Sequence, residues 1–182
     1  KLLLDYGADV AAADNDGCTA LLASAQGGHE KVTQLLLDNG ANVAAAARNG
    51  ATALMPAAGF GNETVTKLVL DHIADVVAAD FCGNTEMMAS AQGGHVAVTQ
   101  LLLGYCVDVV AADNDGVTAL FFAALCGYVA VTKVLLHHGV DVVAVNKHGC
   151  TALMVAAKRG HVAVAKLLLD YGADVAAANE EG

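Results

Sequence analysis

The 182 residues are 56% hydrophobic with 4% aromatics and no Trp, which suits helices packed closely through Ala, Val and Leu and excludes both disorder and a large aromatic core. A net charge of -10, from 19 acids against 9 bases that stand singly except at Lys158-Arg159, excludes a nucleic-acid backbone as partner, because counterion release needs clustered cations. No run of about 18 apolar residues occurs, so direct membrane insertion as a spanning helix is excluded despite a mean hydropathy of +0.52.

Residues 1–13 read as a partial unit. Lys1-Leu2-Leu3-Leu4 carries the amphipathic spacing of a helix end, with no signal peptide ahead of it. A complete unit spans 14–46. It opens with the turn Asp14-Asn15-Asp16-Gly17, continues with Thr19 as a helix cap and predicts a short Ala-rich helix over 20–26. Gly28 ends that helix. Val32, Leu35 and Leu36 predict a second helix by their spacing, Gly40 is its left-handed stop, and Ala41-Asn42-Val43 reads as extended.

The same grammar recurs at 47–79, 80–112, 113–145 and 146–178, followed by the opening turn of another unit at 179–182. Gly-x-Thr marks the register at Gly17, Gly50, Gly83, Gly116 and Gly149, each 33 residues after the last. The phrase ASAQGGHEKVTQLLL at 23–37 therefore returns at 89–103, two periods on, with 13 of 15 residues unchanged. Thr52, Thr85, Thr118 and Thr151 repeat the cap, and Gly61, Gly94, Gly127 and Gly160 the helix stop; Gly139 and Gly172 repeat the second stop. The unit at 47–79 is expected to be the most irregular, because Pro56 removes a hydrogen bond from its first helix. Ile73 there, and Cys106 in the following unit, stand where the other units place the second-stop Gly. One helix pair cannot bury its apolar face alone, whereas stacked neighbours can, so 1–182 is read as a single array.

The period, Asp14-Asn15-Asp16-Gly17-Cys18-Thr19-Ala20-Leu21 and the run from Gly160-His161 to Gly172-Ala173-Asp174-Val175 resemble ankyrin repeats along the whole chain. The resemblance implies an all-α solenoid of stacked helix-turn-helix units joined by β-hairpin-like loops. It also shows departures. Leu22, Met55, Met88, Phe121 and Met154 stand where the family has a histidine that ties neighbouring units, so stacking here is expected to rely on packing. Ala11, Ala44, Val77, Val110, Val143 and Ala176 replace the family's Asn in the loops, which removes the turn hydrogen bonds that Asn makes.

Catalytic chemistry finds little support. Ser24 and Ser90 take a position filled by Ala57, Ala123 and Ala156 elsewhere, and read as small core residues rather than nucleophiles. His29, His95 and His161 are periodic starts of second helices. His137-His138 point to different faces of one helix, and no ligand pairs have zinc spacing. Asn62-Glu63-Thr64 is an accidental glycosylation acceptor. Five cysteines without a Cys-x-x-Cys pair favour reduced thiols and a cytoplasmic setting. No cofactor, metal or enzymatic activity is expected.

The resemblance places partner contacts at the second, third and fifth residues of each unit and at the ends of the first helices. The tips offer Asn15, Asp16, Cys18, Arg48, Asn49, Ala51, Phe81, Cys82, Asn84, Asn114, Asp115, Val117, Lys147, His148 and Cys150. The helix ends offer Gln26, Phe60, Gln92, Leu125, Cys126, Lys158 and Arg159. Of these, Phe60, Phe81, Val117, Leu125 and Cys126 are expected to face water as an apolar centre. Asp16 and Asp115 add acidic tips, the groove being acidic in its first part, while Lys147, Lys158 and Arg159 make the last unit basic; Asn15, Arg48, Cys82 and His148 complete the candidate surface. The implied function is a non-catalytic scaffold or adaptor that binds a basic or apolar segment of another protein, within a longer repeat array. The alternatives are a spacer array in a channel or membrane–cytoskeleton adaptor, and a targeting arm of an enzyme whose catalytic domain lies elsewhere.

Overall fold

The computed structural model describes residues 7–73, 79–105 and 107–178. The expectations for 1–4, Val77, Cys106 and 179–182 lie outside the described residues. Among the described residues, ten helices fall in five antiparallel pairs: α1 (Ala20–Gln26) with α2 (Glu30–Asp38), α3 (Leu54–Gly59) with α4 (Glu63–Asp71), α5 (Glu86–Gly93) with α6 (Val96–Gly104), α7 (Ala119–Cys126) with α8 (Val129–His137), and α9 (Ala152–Arg159) with α10 (Val162–Asp170). First helices pack on first helices and second on second along the stack. One continuous core results, from Leu21, Leu54, Met87 and Leu120 in one layer to Leu36, Val69, Leu102, Leu135 and Leu168 in the other.

The local chemistry explains each boundary. Thr19, Thr85, Thr118 and Thr151 accept a hydrogen bond from the amide three residues on. Each also closes a one-bridge hairpin with the residue six positions back. Asp14, Asp80, Asp113 and Asn146 staple these tips: each side chain accepts from the amides two and four residues ahead. The connecting loops are turns, which corrects the extended reading of Ala41-Asn42-Val43. Asp9, Asn42, Asp108, Asp141 and Asp174 accept from the amide two residues on, so these side chains hold the loop without the family's Asn.

The second unit departs at its tip and at its first-helix cap. Ala47 has no polar side chain to staple its tip. Thr52 does not cap: α3 starts at Leu54, behind Ala53, with no side-chain cap bond. Pro56 is the cause. In the other units the residue at this position donates to the cap carbonyl, as Ala23 does to Thr19 at 3.0 Å. Pro56 has no N–H to give, and the Met55 amide bonds the Thr52 carbonyl at 3.3 Å instead, tightening the turn.

Ser24 and Ser90 are buried structural hydroxyls. Each donates to a carbonyl of its own helix and meets a Thr of the paired helix, Thr33 at 3.0 Å or Thr99 at 3.1 Å. Ala57 interrupts this arrangement and leaves the buried Thr66 hydroxyl without a partner. Ala57→Ser therefore stabilises the chain by about 1 kcal/mol. Urea denaturation reads this directly, and an unchanged or lower midpoint would show that Thr66 gains nothing from the added hydroxyl.

Neighbouring units are also tied by hydrogen bonds, which corrects the expectation of packing alone. At the start of the second helices, Asn62 Nδ2 donates to the Ala25 carbonyl at 3.0 Å, His95 Nε2 to Gly59 at 3.0 Å and His161 Nε2 to Leu125 at 3.1 Å. A Cβ on Gly61 would collide with the His95 ring, so the glycine makes room for the tie. The tips are linked by backbone: Arg48, Phe81, Asn114 and Lys147 amides donate to the Asp16, Asn49, Cys82 and Asp115 carbonyls of the preceding tips. On the outer face, Lys67 donates to Asp71 at 2.7 Å and the Tyr105 hydroxyl donates to the other carboxylate oxygen. These bonds, Lys67 first, hold the Asp71 carboxyl below its ordinary range.

Candidate functional site

Tips projecting to one side of the first helices leave a concave channel of about 540 Å³ across the first four units. Its floor is Leu22, Met55, Pro56, Met88, Ala89 and Phe122; its walls include the carboxamides of Gln26, Asn49, Asn84 and Gln92. Asp80 is the one ionisable residue in the lining. Its carboxylate already accepts from the amides of Cys82 and Asn84 and from Asn84 Nδ2. The channel is therefore nearly uncharged, apolar at the base and able to donate and accept along its sides.

The mapped tip and helix-end positions Gln26, Asn49, Ala51, Asn84 and Gln92 do line this channel. Asn15, Asp16, Arg48, Phe60, Phe81, Cys82, Asp115, Val117, Leu125, Cys126, Lys147, His148, Lys158 and Arg159 are not in its lining. Phe60 and Phe81 are well exposed, at 60% and 74%. Val117, Leu125 and Cys126 are half-buried, which corrects the expectation that they face water. The next unit stacks α9 onto α7 and takes up part of that surface.

The charge pattern is also revised. Asp16 faces Arg48 at 3.8 Å and Asp115 faces Lys147 at 3.1 Å, each pair joining adjacent tips. Such exposed pairs add little stability, but they offset the acidity expected of the tips. Lys158 and Arg159, exposed at the end of α9, enter no ion pair among the described residues. The six floor residues were missed as surface by reading tips and helix ends only. Ala89 and Phe122 could have been found, since they lie three residues before Gln92 and Leu125 and hence on the same helix face.

Among the described residues no three His, Cys, Asp or Glu side chains cluster as metal ligands. His137 and His138 each donate a ring N–H to a carbonyl of their own helix, Lys133 and Val134. Asn62, the formal acceptor, spends its amide on the tie to Ala25. No helix among the described residues is long and apolar enough to cross a membrane. The family model for ankyrin repeats (3 copies) matches residues 1–80 and 87–179. A search of curated proteins gave no match.

Proposed function

The chain belongs to the ankyrin-repeat family, and on that premise we propose that it is a non-catalytic interaction module whose concave channel takes an extended segment of another protein. Repeats of this family generally serve to bind proteins. The observation that carries the reading is the channel itself: an apolar floor between carboxamide walls. Gln and Asn side chains both donate and accept, so they match the alternating N–H and C=O groups of an extended peptide. A lining whose one ionisable residue is Asp80 favours an apolar or weakly basic segment over an acidic one, and the chain's net charge of -10 favours the same choice. Cys18, Cys82 and Cys126 are free thiols, which supports a cytoplasmic setting for a scaffold or adaptor of this kind.

Peptides selected against the chain from a random library test the proposal. Gln92→Lys combined with Phe122→Ala weakens the selected peptides at least about tenfold, as loss of a central contact does, while Phe81→Ala leaves them within about twofold. Binding that survives the channel variant and fails with Phe81→Ala moves the site to the tips and overturns the channel.

A further inference from the structure

The floor of the channel repeats with the units. Leu22, Met55 and Met88 hold one place in three successive units, and Pro56, Ala89 and Phe122 hold the next place in the second to fourth. Their helices α1, α3, α5 and α7 pack side by side along the stack, and packed helices lie about 8 to 10 Å apart. A ligand that uses the whole floor must therefore set down an apolar group at that interval, on the same face each time.

The walls add a second condition. Gln26 and Gln92 are exposed, and their side chains form no hydrogen bond among the described residues. Asn49 Oδ1 accepts from the Ala51 amide at 3.1 Å, which leaves the Asn49 Nδ2 group to donate. These carboxamides suit a ligand whose backbone carbonyls are unsatisfied.

The regular backbone conformations differ on both counts. An α-helix spends its carbonyls on its own amides. A β-strand leaves carbonyls free but places side chains of one face about 6.7 Å apart, which falls out of step with the units. A polyproline II segment has three residues per turn, advances about 9.3 Å per turn and forms no internal hydrogen bonds, so it meets both conditions. Proline suits it further: the fixed φ lowers the cost of ordering, and the missing N–H leaves carbonyl acceptors for the wall donors. Asp80 in the lining and the net charge of -10 favour Lys or Arg at the intervening positions.

We infer, resting on the channel reading, that the partner segment is a polyproline II stretch with Pro or another apolar residue at every third position, one for each unit crossed, and Lys or Arg between them. Gln26 and Gln92 stand two units apart and donate to carbonyls two turns apart.

Fluorescence anisotropy on the 182-residue chain tests this with a labelled peptide that has Pro at every third position and Ser or Lys between. Inserting one Ser at the centre of that peptide turns its two halves onto different faces and weakens binding at least about tenfold, the size of a lost central contact. Gln26→Leu alters an exposed side chain, keeps the helical circular dichroism and weakens the periodic peptide about three- to tenfold, the loss of one hydrogen bond. A periodic peptide that binds no better than its shifted form overturns the inference. Library peptides that need the channel but carry their apolar residues at every second position overturn it too, and leave the channel reading standing. A periodic peptide that binds equally well to the Gln92→Lys, Phe122→Ala variant overturns both.

Discussion

Between about pH 5 and about pH 8 the chain loses roughly 2 to 3 kcal/mol of stability through one side chain, and Glu86→Ala removes that loss. Glu86 is the first residue of α5, 2% exposed, at a position where the other units hold Ala20, Ala53, Ala119 and Ala152. Its Oε2 meets no partner. Helices α3, α6 and α7 pack against α5, and none carries Asp, Glu, His, Lys or Arg; Cys126, at the far end of α7, is their one ionisable group. Asp80, in the tip before α5, is occupied by its own loop amides. Burial without a counter-charge penalises the carboxylate and raises the pKa from 4.5 to about 7, against the smaller opposing effect of a bond to its own backbone. The sign follows. The folded state holds the proton more tightly than the unfolded state, so the penalty is absent at acid pH. It grows as pH rises above the ordinary carboxylate range and is complete once pH passes the folded value near 7. Urea midpoints at several pH values check this, with Glu86→Gln as the variant that keeps the shape. A wild type and a Glu86→Ala variant with parallel pH profiles would sink the account.

Gly83→Ala costs about 3 kcal/mol, more than a left-handed backbone alone demands. Gly83 has φ +83°, which an L side chain tolerates poorly. A Cβ there would stand 2.8 Å from the Asn114 nitrogen and 3.0 Å from the Asp113 Cα, both backbone atoms of the next tip. The Asn114 amide is the donor that reaches the Cys82 carbonyl at 2.8 Å, so the added methyl pushes against the bond that joins the two tips. Gly40 provides the control. Its φ is +80°, yet a Cβ there meets nothing within 4 Å. Gly40→Ala therefore shows the conformational cost alone, about 1 to 2 kcal/mol. Hydrogen exchange at the Asn114 amide separates the two effects: it accelerates in Gly83→Ala and is unchanged in Gly40→Ala. Equal unfolding costs for the two variants would mean that the neighbouring tip yields freely.

The candidate site was legible in part. Reading the repeat put Gln26, Asn49, Asn84 and Gln92 on the partner-facing side, because tip and helix-end positions are set by the unit's own turns and caps. The floor of Met55, Pro56, Met88 and Phe122 was not legible as a surface, since these residues read as ordinary apolar helix positions. Only the spacing between consecutive first helices decides how much of each shows. The charge reading failed for a related reason. Asp16 and Arg48 are 32 residues apart, and nothing local announces that the curvature of the stack brings their tips together at 3.8 Å.

By itself the sequence determined the period, the helices and their ends. Thr19, Thr85, Thr118 and Thr151 cap, Pro56 spoils a turn, and each effect acts within about four residues, the reach of a helical hydrogen bond. Tertiary structure alone decided environment. Val32 and Val65 are the same residue at the same place in the unit, yet one is 48% exposed and the other 1%. A glutamate replacing alanine in a helix's first turn is locally harmless, and Glu86 is costly only because neighbouring units close over it. Burial is conferred by units 33 residues away, and a side chain's own neighbours in the chain carry no record of it.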